Sequence, residues 1–172
     1  KLMVKTLMIF LSAFFYINCG QGGSSRIITG AEQPEKYLPL LEGRRVGLVV
    51  NNTSLAGQVH LVDFLIDKNI NVTKIFAPQH GFRGDAAAGE VVNDGVDKKT
   101  GIRIVSLYGR NKKPSPEHLA DTDIILFDIQ DVGCRFYTYI STLHLVMEAC
   151  AEKGIPMIVT DRPNPNGDYV AG

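Results

Sequence analysis

The segment from 128 to 139 concentrates chemically capable side chains between two regular elements. It reads D-I-Q-D-V-G-C-R-F-Y-T-Y and holds two carboxylates, an amide, a guanidinium and two tyrosines. An apolar run, Ile124–Phe127, precedes it, and a segment with helical spacing follows it. Because ligands bind beyond the carboxyl ends of strands in parallel α/β sheets, we interpret this segment as the floor of a binding site.

Apolar runs of strand length alternate with segments of helical spacing along the chain. The predicted strands are 45–51, 72–77, 102–108, 123–128 and 156–160, and the predicted helices are 58–68, 114–119 and 137–153. This alternation is typical of crossover units, so it predicts an α/β, Rossmann-like parallel sheet with helices on both faces. On the last helix, the predicted apolar stripe contains Ile140, Leu143, Val146, Met147 and Cys150.

Polar residues follow each predicted strand, and the carboxyl ends of parallel strands share one edge of the sheet. The candidates for ligand contact at this edge are Asn51, Asn52, Gln79, His80, Arg83, Gln130, Asp131, Arg135, Tyr137, Tyr139, Arg162 and Asn164. Amides suit sugar hydroxyls and N-acetyl groups, and arginine suits a carboxylate. Glycoside cleavage needs a proton donor and usually a second carboxylate, for which Glu90, Asp128 and Asp131 are candidates.

Several of these residues also have simpler structural interpretations. Asp128 is a possible cap for the following helix, and Arg135 is a possible partner for either nearby aspartate. Asp161 and Arg162 are a possible local ion pair. The run containing Asp94, Asp97, Lys98 and Lys99 has the composition of an ordinary solvated surface. The histidines His60, His118 and His144 fall on predicted helices, so structural or surface positions are expected for them.

Composition and motifs argue against several classes of function. The 18 basic and 18 acidic residues balance, which gives no support for a nucleic-acid partner. Neither the dinucleotide fingerprint nor the P-loop pattern is found, so no cofactor is predicted. No zinc spacing occurs, and no metal site is predicted. A metal-dependent hydrolase is an alternative, because the side chains of His80, Asp85, Asp128 and Asp131 are of suitable types for metal ligands. The spacing of these residues in the sequence, however, matches no established metal-binding motif.

The first residues have the features of an export signal. Lys1 and Lys5 precede a short apolar stretch, Leu7–Phe15, which predicts a signal peptide over 1–18. Cys19 stands where a bacterial lipoprotein is lipidated, and 19–43 would form a tether and lead-in. We therefore expect a periplasmic or cell-envelope lipoprotein attached to the membrane, and the alternative is an ordinary signal peptide with an incidental cysteine.

Five motifs resemble, in order, those of the exo-β-N-acetylmuramidase family (NamZ-like, formerly a domain of unknown function, DUF1343). They are P-x-H-G-F-R-G-D at 78–85, A-G-E at 88–90, S-L-Y-G at 106–109, the 128–139 segment and D-R-P-N-P at 161–165. The resemblance covers about 44–172 and implies a Rossmann-like N-terminal domain. It implies a glycosidase that releases N-acetylmuramic acid from the non-reducing end of peptidoglycan fragments, such as MurNAc-GlcNAc. A second, C-terminal domain of such proteins is not matched.

The resemblance also implies which residues act, with one departure. The family usually carries a glutamate, the favoured catalytic acid, at the position of Gln79. An amide cannot donate and regain a proton at neutral pH, so Glu90, His80 and Asp128 are the catalytic candidates in this sequence. The alternative is a muropeptide- or sugar-binding lipoprotein without catalysis, which Gln79 favours.

Overall fold

The computed structural model describes residues 26–78, 81–83, 94–109, 111–134 and 136–167. The predicted signal peptide and Cys19 lie outside the described residues, as do Gln79, His80, Asp85, Glu90 and Arg135. Within the described ranges, no helix combines the length and apolar character needed to cross a membrane.

The main sheet has six strands in the order β5-β6-β4-β1-β7-β8. Their bounds are Val46–Val50 (β1), Val72–Ala77 (β4), Gly95–Val96 (β5), Arg103–Ser106 (β6), Ile124–Asp128 (β7) and Met157–Val159 (β8). Strand β5 is antiparallel to β6, and the other five run parallel. The parallel strands thus follow the 3-2-1-4-5 order of a Rossmann-like sheet, which confirms the predicted fold class.

The chain changes direction across the sheet between β1 and β7. From β1 it builds β4 and β6 on one side, and it then crosses to build β7 and β8 on the other side. The two strands pair in register from Val46 opposite Ile124 to Val50 opposite Asp128. Such a topological switch point leaves a crevice outside the carboxyl ends, where ligands bind in open α/β sheets.

Helices cover both faces of this sheet, as predicted. Helices α1 (Pro34–Leu41) and α2 (Leu61–Asp67) belong with one apolar core, and α3 (Tyr139–Lys153) belongs with the other. All five residues of β1 and of β7 are buried because both of their faces are covered. This double burial explains why those strands read as continuous apolar runs rather than alternating patterns.

The lead-in before β1 is part of the folded unit. Tyr37 and Leu41 of α1 are 3% and 0% exposed, and the Tyr37 hydroxyl donates to Ala31 O at 2.9 Å. Gly30 N donates to Asp161 O at 2.7 Å, and a Cβ on Gly30 would lie 2.6 Å from Asp161 N. The core therefore includes residues that precede the boundary predicted at 44.

The structure corrects four expectations about local structure. Residues 116–121 form turns, not the predicted helix over 114–119. The predicted helix over 58–68 begins only at Leu61, because residues 59–60 form strand β3, which pairs with β2 (Leu55–Ala56) in a hairpin. Strand β5 occupies part of the predicted loop over 79–101. On α3, Ile140 and Met147 are 63% and 53% exposed, so they do not belong to the buried stripe.

The end of α3 and its cysteine agree with the sequence. Gly154 adopts a left-handed conformation (φ 69°) and ends the helix, as glycine commonly does. Cys150 is 3% exposed in the core, and burial raises the pKa of its thiol to about 11. Cys134 is exposed, and both thiols are free.

Candidate functional site

A turn at the end of β1 is tied to the segment that follows β7. The Asn51 carbonyl oxygen Oδ1 accepts from Thr53 N at 2.9 Å and from Thr53 Oγ1 at 2.6 Å. Thr53 Oγ1 in turn accepts from Gln130 N at 3.0 Å, and Ser54 Oγ donates to Asp128 O. These side chains extend the β1–β7 pairing beyond the sheet, so the base of the crevice is fixed. Asn52 is exposed beside this turn.

Beneath the crevice, Asp128 forms a two-point ion pair with Arg162. Nε and Nη2 of Arg162 donate to the two carboxylate oxygens, each at 2.7 Å, and Nη2 also donates to Leu55 O at 2.8 Å. Asp128 is 0% exposed, and both of its oxygens are engaged. This geometry favours a positioning role for Asp128 over the predicted proton transfer.

The simpler interpretations of this region are resolved by the same contacts. Arg162 pairs with Asp128 rather than with Asp161. Asp128 does not cap α3, because the helix begins eleven residues later, at Tyr139, with Thr138 at the N-cap. Thr53 and Ser54 were not among the predicted ligand residues, and their only signal in the sequence was their place directly after a predicted strand.

Two loops above the ion pair are clasped together by amide side chains. Gln130 Nε2 donates to Pro163 O at 2.7 Å, and Asn166 Nδ2 donates to Gly133 O at 3.0 Å. Asp131 Oδ1 accepts from Gly133 N at 2.6 Å, which is an Asx turn. In the loop that follows β8, the predicted ligand residue Asn164 accepts a hydrogen bond from Asn166 N through Oδ1 at 3.0 Å. Gln130, Asp131 and Asn164 thus shape the wall of the crevice.

The two predicted tyrosines lie side by side at the start of α3 with different exposure. Their ring centroids are 5.8 Å apart; Tyr137 is 45% exposed and Tyr139 is 8% exposed. Burial raises the pKa of the Tyr139 hydroxyl, and the neighbouring Asn51 side chain opposes that rise. Tyr137 therefore offers an open ring face, and Tyr139 offers a largely buried hydroxyl.

Arg83 lies in an ion-pair cluster and not among the crevice residues described above. Its guanidinium donates to Asp63 at 3.1 and 3.2 Å and to Asp97 at 2.9 and 3.1 Å. Lys99 Nζ donates to Asp63 Oδ2 at 2.7 Å, and Thr100 Oγ1 donates to Asp97 Oδ2 at 2.6 Å. With these donors engaged, a structural role for Arg83 is favoured over the predicted ligand contact.

The same cluster overturns the expectation of a solvated run. The Asp97 side chain is only 6% exposed. Burial raises the pKa of its carboxyl, but hydrogen bonds from Arg83 and Thr100 outweigh burial and lower the pKa to about 2. Asp97 is therefore a paired carboxylate of the interior, while Lys98 and Lys99 remain at the surface.

His60 joins this cluster to the crevice. Its Nδ1 accepts from Val62 N at 3.3 Å, so the neutral ring carries its proton on Nε2, which donates to Asn51 O at 2.9 Å. The imidazole packs edge to face against the Phe82 ring, with 4.8 Å between the ring centroids. The Arg83 guanidinium carbon lies 4.5 Å from the centroid of the same Phe82 ring. Burial lowers the pKa of His60 and the Arg83 charge adds to this, whereas the bond to Asn51 opposes it.

Two cavities flank the first turns of α3. One, of about 120 Å³, lies between α3 and the ends of β7 and β8, and the other, of about 150 Å³, lies between α3 and the end of β6. Among the described residues, no group of three or more histidine, cysteine or acidic side chains is placed to hold a metal ion.

Comparison with known proteins identifies the family. Residues 46–172 match the family described as exo-beta-N-acetylmuramidase NamZ, N-terminal. Over 136 residues the chain is 52% identical to the peptidoglycan beta-N-acetylmuramidase NamZ of Bacillus subtilis. The match covers 76% of this chain and 32% of that protein.

Solved structures agree with this match. Two crystal structures of DUF1343 family proteins from Bacteroides fragilis are each 44% identical to the chain, with TM-scores of 0.74 and 0.72. The first match covers 86% of this chain and 38% of the solved one, and the second covers 81% and 36%. The chain thus spans about a third of the length of its relatives. It belongs to the NamZ N-terminal family.

Proposed function

We propose that the chain provides one wall of the active site of an exo-β-N-acetylmuramidase. The enzyme releases N-acetylmuramic acid from the non-reducing end of peptidoglycan fragments during cell-wall turnover or recycling. The name of the Bacillus subtilis relative supports this substrate class, and the crevice at the β1–β7 switch point supports the place of binding.

The observation that carries the proposal is the character of that crevice. Its buried charges are paired, because Asp128 and Arg162 neutralise each other at 2.7 Å. Its remaining groups are hydroxyls, amides and the open face of Tyr137, which is 45% exposed. A sugar combines hydroxyls with an apolar ring face, so such a surface suits it better than it suits a nucleotide phosphate.

The chemical step is assigned to residues of the 79–90 segment. Glu90 supplies the acid, His80 assists it, and Asp128 holds the base of the crevice in place. This assignment follows from the motif at 78–85, the A-G-E at 88–90 and the paired state of Asp128. Gln79 contributes hydrogen bonds to the sugar rather than a proton.

Release of N-acetylmuramic acid from MurNAc-GlcNAc, followed by mass spectrometry, tests the proposal. We expect release by the protein and its loss in Glu90→Gln. Gln79→Glu should increase turnover, because it restores an acid beside His80, whereas Gln58→Glu in the exposed β2–β3 turn should leave turnover unchanged. Unchanged release in Glu90→Gln would refute the assignment of the acid.

The second candidate is a muropeptide-binding protein without catalysis, which the amide at Gln79 favours. Calorimetry with MurNAc-GlcNAc separates the two candidates. Binding with no product after prolonged incubation, from protein whose folding is confirmed by circular dichroism, would support the binder and reject the enzyme.

We further propose export and membrane attachment through Cys19, which follows the apolar stretch Leu7–Phe15. Peptidoglycan lies outside the cytoplasmic membrane, so an anchored enzyme would stand beside its substrate. Labelled palmitate should enter the wild-type protein and not Cys19→Ala, and equal labelling of both would contradict the anchor.

A further inference from the structure

We propose that the cavity between β7, β8 and the first turns of α3 receives the methyl group of an acetamido substituent on the sugar. The carbonyl oxygen of that substituent then accepts hydrogen bonds from Asn51 and Tyr139. This inference rests on the proposed function, since it names the part of the sugar that the crevice selects.

The first observation is a buried donor without a well-formed hydrogen bond among the described residues. Asn51 is 1% exposed, and among the described residues its Nδ2 has no well-formed hydrogen bond. The orientation of the amide is fixed, because Oδ1 already accepts from Thr53 N and Oγ1 at 2.9 and 2.6 Å. A buried donor without a well-formed hydrogen bond is destabilising, and a ligand carbonyl would satisfy it.

The second observation is that Tyr139 connects this donor to the cavity. Its hydroxyl is close enough to the Asn51 side chain for the amide to affect its pKa, and its side chain lines the cavity. Burial raises the pKa of Tyr139, so the phenol keeps its proton throughout the neutral range and remains a donor. The Tyr139 hydroxyl thus connects the cavity to the Asn51 amide behind it.

The third observation is the lining of the cavity itself. Its volume is about 120 Å³, and its walls are mainly the apolar side chains of Phe127, Ile129, Leu143 and Val159. A methyl group is similar in size to a water molecule, which occupies roughly 30 Å³ in the liquid, so it fits with room to spare. The apolar walls favour a methyl over a hydroxyl, which would lose its hydrogen bonds there.

The charges at the rim favour a neutral substituent over the lactyl carboxylate. Asp131 and Asp161 both line the cavity, and Arg162 beside them is already paired with Asp128. Among the described residues, an anion would therefore meet two carboxylates and no unpaired guanidinium. An acetamido group carries no charge and avoids this repulsion.

Saturation-transfer NMR tests the proposal with the wild-type chain and three sugars. N-acetylmuramic acid and N-acetylglucosamine share the acetamido group, while glucose has a hydroxyl in its place. We expect the acetyl methyl protons to receive the strongest saturation in both N-acetyl sugars and glucose to bind at least tenfold more weakly. Strongest saturation of the lactyl methyl would overturn the inference.

Two pairs of variants locate the contact. Leu143→Phe narrows the cavity, and Met147→Phe makes a similar enlargement one turn further along α3 at a position that is 53% exposed. Tyr139→Phe removes the buried hydroxyl, and Tyr137→Phe, the control, removes the hydroxyl of the neighbouring exposed tyrosine. We expect the first member of each pair to weaken N-acetylglucosamine binding at least fivefold, with no change for glucose, and the second to leave the ratio of the two sugars unchanged.

The outcomes separate this inference from the proposed function. Binding of all three sugars with similar affinity, or equal effects within each pair of variants, would overturn the acetamido site and leave a sugar-binding crevice. If the wild-type protein is shown by its melting curve to be folded and binds none of the three sugars, both the acetamido site and the proposed function would be overturned. For Leu143→Phe, the melting curve and the retained glucose signal distinguish a filled cavity from a failure to fold.

Discussion

Asp128 and Arg162 form a two-point ion pair, with both N–O distances at 2.7 Å, directly below the crevice between β1 and β7. Both side chains are buried, at 0% and 9% exposure. Arg162 Nη2 also reaches Leu55 O at 2.8 Å, so one guanidinium joins β7, the segment after β8 and the β2–β3 hairpin. The pair therefore fixes three parts of the chain around one point.

Breaking this pair from one side should destabilise the fold. Asp128→Asn leaves a buried guanidinium without its counter-charge, and such losses are typically about 3–5 kcal/mol. Chemical unfolding of Asp128→Asn, Arg162→Met and the double variant measures this directly. We expect the double variant to be less destabilised than the sum of the single changes by at least about 1 kcal/mol. Additive effects would show that the two residues act independently.

Stability should fall as the pH drops below the ordinary pKa of histidine, because of His60. Its folded pKa is lowered, so near pH 6.5 and below the unfolded chain binds a proton that the folded chain resists. The contribution of His60 is fully present above about pH 6.5 and declines as the pH falls towards its folded pKa.

The test is to measure the free energy of unfolding between pH 7.5 and 5. His60→Asn should flatten this dependence while keeping a good N-cap residue for α2. His144→Asn, on the exposed surface of α3, serves as the control and should keep the wild-type slope. An unchanged slope in His60→Asn would contradict the assignment.

The carboxylate of Asp97 should contribute more to stability than a surface carboxylate. Asp97→Asn weakens two bonds from Arg83 in a cluster whose Asp97 side chain is 6% exposed, and we expect a loss of about 3 kcal/mol. Glu152→Gln, in the exposed pair with Lys113, should cost less than about 1 kcal/mol. Urea unfolding compares the two variants, and similar losses would contradict the difference.

Acid should remove the Asp97 contribution in a defined pH window. The folded pKa is about 2 and the ordinary value is 3.8, so the contribution is present above about pH 4 and is lost as the pH falls towards 2. In Asp97→Asn, the drop in unfolding free energy between these pH values should be smaller than in the wild type. An equal drop would assign the acid sensitivity to other carboxyls.

Gly133 should tolerate alanine less well than another glycine of the same conformation. Gly133 (φ 65°) and Gly109 (φ 76°) both lie in the left-handed region, where alanine costs about 1–2 kcal/mol. At Gly133 a Cβ would also lie 2.5 Å from Asn164 Oδ1 and 2.6 Å from Asn166 Nδ2, whereas at Gly109 no atom of the described residues lies within 4 Å.

Gly133→Ala should therefore disrupt the hydrogen bond from Asn166 Nδ2 to Gly133 O, which joins the loop after β7 to the loop after β8. We expect a larger loss of unfolding free energy than in Gly109→Ala, together with a shift of the Asn166 side-chain amide signals in NMR spectra. Equal losses, with unchanged Asn166 signals, would show that the loops accommodate the extra carbon.

The sequence was sufficient for the sheet, its polar edge and the family. Strands β1 and β7 are apolar runs because both of their faces are buried, and local composition alone records that burial. The crossover pattern then requires a parallel sheet, so the groups after β1, β7 and β8 must share one edge. The roles of Gln79, His80, Glu90 and Arg135, which lie outside the described residues, stay predictions.

Tertiary structure decided the partners of the charged groups. Asp128 lies 34 positions from Arg162, and Arg83 lies 14 from Asp97 and 20 from Asp63, so no local pattern relates them. Each pairing depends on which elements the sheet order brings together, and sequence spacing carries little of that information. For the same reason, the sequence predicted a polar edge after the strands but could not tell which of its polar atoms the fold pairs and which, such as Asn51 Nδ2, have no well-formed hydrogen bond among the described residues.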